Sequence, residues 1–116
     1  MELNWIKYQN GEWCQFLTLN LQDKHFDDME GVYIIWQAQG PVVRVGQGVI
    51  RDRLTKHKDD AEIVAYNSLC VTWARVDKID RDGVEKFLAD TLSPKVGEAY
   101  PVCLPITVNL PWPWHY

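Results

Sequence analysis

GVYIIWQAQGPVVRVGQGVIRDRLTKH, residues 31–57, is the stretch whose reading decides the fold. Gly31 to Gln37 is a short run of β-branched and aromatic residues, and such runs form buried strands. Gln39-Gly40-Pro41 is a turn, and Val42 to Val45 supplies the partner strand, so an antiparallel hairpin is predicted. Gly46 and Gly48 then break the strand and allow a tight turn. From Val49 to about Asp60, the residues Val49, Ile50, Arg53, Leu54 and His57 recur at three- and four-residue steps, which predicts a helix. Its polar face carries Arg51, Asp52, Lys56 and Asp59.

Outward from that stretch the pattern is plainer. Asn10-Gly11 is a turn dipeptide, and the segments around it within residues 3–21 predict an N-terminal hairpin, its better strand running through Cys14, Phe16 and Thr18. Gln22 to Glu30 is acidic and reads as a loop. Downstream, SLCVTWARV at 68–76 predicts a third strand. Asp80 to Leu92 predicts a second helix, with Asp80 or Asp82 as cap and Val84, Phe87, Leu88 and Leu92 as its apolar stripe. Ser93-Pro94 ends it. Pro101, Pro105, Pro111 and Pro113 exclude a regular helix over 101–116, which is expected to form an extended cover anchored by Trp112 and Trp114. Strands with interspersed helices and a central hairpin indicate one α+β domain spanning residues 1–116.

With 116 residues, 47% of them hydrophobic and 24% charged, the chain suffices for one core and is too short for two ordinary domains. A domain of this size buries roughly 65–70% of its unfolded surface, so it folds without a disulfide or a structural metal. Cys14, Cys70 and Cys103 have no pairing or zinc-binding spacing and read as free thiols in a reducing compartment. There is no basic segment leading into an apolar one at the start, and no apolar run near the length of a membrane span. The expected location is therefore cytoplasmic, with no membrane partner. Six tryptophans are explained by core packing, the sharper alternative being a base-stacking platform.

The net charge of −4 excludes a general nucleic-acid coat protein. A local site is not excluded, because the distribution of charge matters more than its sum. Arg44, Arg51, Arg53, Lys56, His57 and Lys58 stand against Asp52 alone, while acidic residues gather at 23–30 and 59–62. This reads as one basic surface on an acidic body, or as a solvated helix face. Gly46-Gln47-Gly48 lacks the remaining residues of a dinucleotide or phosphate-loop fingerprint. Cys70 has no basic neighbour in sequence and is a poor nucleophile.

In order, Gly31-Val32-Tyr33, Val45-Gly46, Arg53-Leu54 with His57, Glu85 and Pro94 resemble the motifs of the GIY-YIG nuclease superfamily over roughly residues 31–97. The resemblance implies a central antiparallel sheet flanked by helices and a divalent-metal-dependent DNA endonuclease or phosphodiesterase. Arg44 stands where the family's second motif has tyrosine, and Gly97 where it has an asparagine. The alternative is accordingly a catalytically silent domain that binds nucleic acid or a protein partner through the same face.

What the resemblance implies for each residue can be set beside its plainer role. Glu85 would hold one Mg²⁺ or Mn²⁺, ions that keep most of their waters and need few protein ligands. Otherwise it is a glutamate favoured by the helix dipole. Arg53 would clamp the scissile phosphate with its two-pronged guanidinium, or lie as a surface arginine. Tyr33 would orient water or take its proton, or pack as a core aromatic. His57, whose ordinary pKa suits base work near neutrality, would stand in for the absent tyrosine. Arg44 stays protonated and cannot be a base; it adds a phosphate contact or marks a lost one. With Arg51, Lys56 and Lys58 it makes up the expected nucleic-acid-binding surface.

Overall fold

The computed structural model describes residues 1–8, 10–97 and 100–111. Four strands, β1 (Cys14–Gln15), β2 (Glu30–Gln37), β3 (Val42–Val49) and β4 (Leu69–Arg75), form one antiparallel sheet in the order β1-β4-β2-β3. Three helices accompany it: α1 (Ile50–Lys58), α2 (Ala61–Val64) and α3 (Lys78–Leu92), with a short 3₁₀ turn at Lys24–Phe26. The fold is α+β, as expected.

Strand β2 is apolar without alternation because both of its faces are covered. Tyr33 and Ile35 face one layer with Val71 and Trp73, under Ile50 and Leu54 of α1 and the rings of Phe16 and Phe26. Val32, Ile34 and Trp36 face the other, under Val84, Leu88 and Leu92 of α3 and Val108 of the C-terminal segment. Each such aliphatic side chain taken fully out of water contributes about 1.5–3 kcal/mol. Both helices are thus held by hydrophobic burial against opposite faces of the same hairpin.

Several elements differ from the sequence expectation. The N-terminal hairpin reduces to a tight turn, closed by Tyr8 N–H to Glu12 O at 2.9 Å and Gly11 N–H to Tyr8 O at 3.0 Å. Beyond that turn, both arms dock on β4. Cys14 pairs with Val71, and Ile6 N–H donates to Trp73 O at 3.0 Å. Tertiary burial against an established strand outweighs the local pairing of a polar hairpin. Helix α1 begins only at Ile50 because Val49 still pairs with Glu30. Helix α2 was not foreseen; the Asp60 side chain caps it, accepting from Glu62 N–H at 2.9 Å. Helix α3 starts at Lys78, two residues before Asp80.

Over residues 101–111 there is neither helix nor strand. The segment covers α3 through Ile106 N–H to Gly83 O at 2.9 Å and the buried Val108. It is tied to the N-terminus by Asn109, which donates to Leu3 O at 3.0 Å and accepts from the Trp5 indole through its own backbone carbonyl at 2.9 Å. The expected anchors Trp112 and Trp114 lie outside the described residues. No helix among the described residues is long and apolar enough to cross a membrane.

After α3, Ser93 takes a left-handed conformation (φ +48°) and turns the chain back toward the sheet. Lys95 N–H then donates to Val42 O at 3.1 Å and Val96 N–H to Val43 O at 2.8 Å. These bonds run the segment along the free edge of β3 and bring Gly97 and Tyr100 to that edge.

Candidate functional site

The free edge of β3 is where α1, α3 and the segment after α3 converge. Tyr33 lies at its centre, fully buried and paired in register with Gly46. A Cβ at residue 46 would collide with the hydroxyl and ring of Tyr33. The tyrosine can therefore lie flat across the strand only because residue 46 is glycine. From α1, His57 stacks on the same ring, with centroids 5.4 Å apart, and its Nε2 is 2.6 Å from the Tyr33 hydroxyl.

Helical spacing puts Ile50, Leu54 and His57 on the buried side of α1, and His57 is only 4% exposed. Burial and the nearby charges of Arg44 and Arg53 bring its pKa down to about 4. The solvent-like titration expected from sequence is thus corrected: the imidazole is neutral at pH 7. Burial likewise raises the Tyr33 pKa, and the adjacent Arg53 and Arg44 only partly offset this. In the tautomer with its proton on Nδ1, His57 accepts the Tyr33 hydroxyl proton at Nε2.

A prediction about stability follows from the histidine. Its folded pKa lies below its unfolded value, so the unfolded chain binds the extra proton first. The neutral-imidazole contribution is complete above about pH 6.5 and is lost as pH falls toward about 4. A gap of this size is worth on the order of 3 kcal/mol. Denaturant melts from pH 7 to pH 4 should show a shallower loss of stability in His57→Gln than in the wild type. Parallel slopes would show that the imidazole titrates freely.

Arg44 extends from β3 on the Tyr33 side of the sheet, and Arg53 from α1, its stem passing beside Gly48. Both act on the ionisation of Tyr33, His57 and Glu85. The Nε atoms of both arginines are buried without a hydrogen-bond partner, and neither guanidinium has an ion pair among the described residues. Both side chains are half-buried, and a buried donor left unfilled is costly unless an acceptor meets it.

On the other side of β3, Gln47 Nε2 donates to Asp82 Oδ1 at 2.6 Å and to Glu85 Oε1 at 2.8 Å. Residues 82 and 85 are one turn apart on α3, so their carboxylates share a face. Burial raises the pKa of Glu85, against the lowering effects of the Gln47 hydrogen bond and Arg44. Among the described residues no group of three metal-ligating side chains exists. The two carboxylate oxygens converge on the Gln47 amide nitrogen, so a largely hydrated Mg²⁺ or Mn²⁺ held by this pair would have to take the place of that amide.

The expected basic surface is divided. Arg51 pairs with Asp27 at 2.7 Å and donates to the carbonyls of Leu21 and Asp23, holding the 21–27 loop. Lys58 Nζ donates to Leu19 O at 2.7 Å, and burial lowers its pKa. Lys56 is exposed on α1. Arg44, Arg53, His57, Tyr33 and Glu85 converge on one centre, whereas Arg51 and Lys58 are engaged elsewhere. Sequence reasoning missed Asp82, Gln47 and Tyr100. The first was legible in its three-residue spacing from Glu85, and the second in the strand alternation of β3. Nothing local marks Tyr100, which arrives through the path of the chain after α3.

A cleft of about 670 Å³ lies elsewhere, over the face of Trp73, lined by Ile6, Tyr8, Leu19, His25 and Phe26 among others. Its one lysine, Lys7, lies over the Trp13 ring, and Asp23 also lines the cleft, so the stronger case for an anion belongs to the β3 edge with its two arginines. Comparison with known protein families, curated proteins and solved structures finds no match to this chain.

Proposed function

We propose that this chain binds a phosphodiester of DNA at the β3 edge and hydrolyses it with the help of one divalent cation, as the resemblance to the GIY-YIG superfamily implies. The observation that carries the reading is the pair of half-buried arginines, Arg44 and Arg53, whose buried Nε donors have no partner. Guanidinium is the side chain best matched to a phosphate oxygen pair. Charge that develops on the phosphorus oxygens would be met by these donors.

In this reading the bond that forms joins a water oxygen to phosphorus, and the bond that breaks releases a sugar oxygen. The water proton passes to the Tyr33 oxygen as Tyr33 delivers its own to His57 Nε2, 2.6 Å away. The imidazole is neutral with Nε2 facing the hydroxyl, but its lowered pKa makes it a weaker base than a free histidine, a cost that the negative charge of the incoming phosphate would offset. Glu85, joined by Asp82, would hold the cation, whose chemistry is to stabilise negative charge on the departing oxygen. The two arginines orient the diester and stabilise its transition state. Because they lie beside the buried Tyr33 hydroxyl, an incoming phosphate has to draw at least one of them outward for water to reach it.

That burial, with Arg44 in place of a tyrosine, favours a second reading: a domain that holds the phosphodiester without cutting it. Both readings require binding that weakens with salt. Fluorescence anisotropy with a labelled duplex should give an affinity falling linearly with log salt, at a slope of about −0.9 for each phosphate neutralised. Binding with no salt slope, or none at low salt, would remove both.

A further inference from the structure

Among the described residues, three buried side-chain polar atoms lack a hydrogen-bond partner: Arg44 Nε, Arg53 Nε and the hydroxyl of Tyr100. They are not scattered. Tyr100 acts electrostatically on the same centre as Arg44, Glu85 and Tyr33. Its hydroxyl and the Nη1 of Arg44 both lie against Gly97, where a Cβ would collide with the tyrosine oxygen and come within 3.1 Å of that nitrogen. Gly97 has φ +144°, a conformation that side chains rarely adopt. The glycine lets the hydroxyl and the guanidinium approach one spot.

A buried hydroxyl without a partner costs about 1–3 kcal/mol, and nothing in the described fold offsets that. Two guanidinium donors cannot accept from it, and it is not hydrogen-bonded to Glu85. Both arginines reach the Tyr33 oxygen, and Arg44 also meets Tyr100 at Gly97. The donors left over, Arg44 Nε, Arg53 Nε and the Tyr100 hydroxyl, ask for a ligand that supplies acceptors, and a phosphate does so. Resting on the phosphodiester reading above, we propose that Tyr100 is a substrate-contacting residue whose hydroxyl donates to a non-bridging oxygen of the phosphate held by Arg44 and Arg53. The tyrosine adds a third, neutral donor from a segment that belongs to neither the sheet nor a helix. It gives the oxyanion a third contact beside the two arginines.

Tyr100→Phe keeps the ring and removes only the donor. Anisotropy of a labelled duplex oligonucleotide in EDTA, comparing wild type, Arg53→Ala and Tyr100→Phe, reads binding apart from cleavage. The expected result is about tenfold weaker binding in Tyr100→Phe, with a melting temperature equal to or above that of the wild type, since an unsatisfied buried group has been removed. A hydroxyl that merely supports the fold would instead lower the melting temperature and leave the affinity unchanged. That outcome, with Arg53→Ala impaired, overturns the role of Tyr100 and spares the phosphate site. No binding by the wild type overturns both.

Discussion

Arg53→Ala is expected to slow metal-dependent phosphodiester cleavage by about 10²–10³-fold, the usual cost of losing one preorganised donor to a developing oxyanion. The Arg53 guanidinium is among the few groups that influence Tyr33, His57 and Glu85 together, and its Nε has no other partner. Arg53→Lys should restore little, because an ammonium keeps the charge and loses the fork that meets two phosphate oxygens. The loss should fall on kcat/KM while the melting temperature changes little, because Arg53 makes no ion pair among the described residues that holds α1. Rates for the alanine variant within threefold of wild type would move the phosphate away from this arginine.

Tyr33→Phe is the second large effect. If the Tyr33–His57 pair carries the proton from water, removing the hydroxyl should cost about 10²–10⁴ in the rate of the chemical step, measured in a single turnover. DNA affinity should stay near the wild-type value, because the arginines remain. The variant also strands a buried His57 Nε2, at about 1–3 kcal/mol of stability. Unaltered single-turnover rates with a lowered melting temperature would reduce Tyr33 to a core aromatic.

The fold was legible where hydrophobic pattern and turn chemistry agreed. The β2–β3 hairpin, β4, α1 and α3 each have a periodicity that local sequence determines, and the Gln39–Pro41 turn separates the hairpin strands. The N-terminal arms were misread because their partner, β4, lies more than fifty residues away, and no local pattern reports it. The residues that meet in the candidate site were legible in the same measure. Tyr33, Arg53, His57 and Glu85 each sit within a periodic element whose register can be counted.

The protonation of His57 was not legible, since it depends on two arginines that only folding brings near. The division of the basic run was equally hidden. Arg51 and Lys58 resemble Arg53 in sequence, but helix geometry points them at the carbonyls of the 19–23 segment. Tyr100 lay furthest from reach, because its position depends on the left-handed turn at Ser93 and on the edge pairing of Lys95 and Val96.

The measurement that bears most directly on the proposed activity is nicking of supercoiled plasmid, and cleavage of a branched oligonucleotide, in Mg²⁺ or Mn²⁺. Wild type, Glu85→Ala and an EDTA control are run from identical preparations. The expected result is cleavage by the wild type that disappears in EDTA and in Glu85→Ala, with the variant still folded. Absence of cleavage by a folded, DNA-binding wild type, or cleavage that survives in Glu85→Ala, would contradict it and leave a phosphate-binding domain without hydrolytic chemistry.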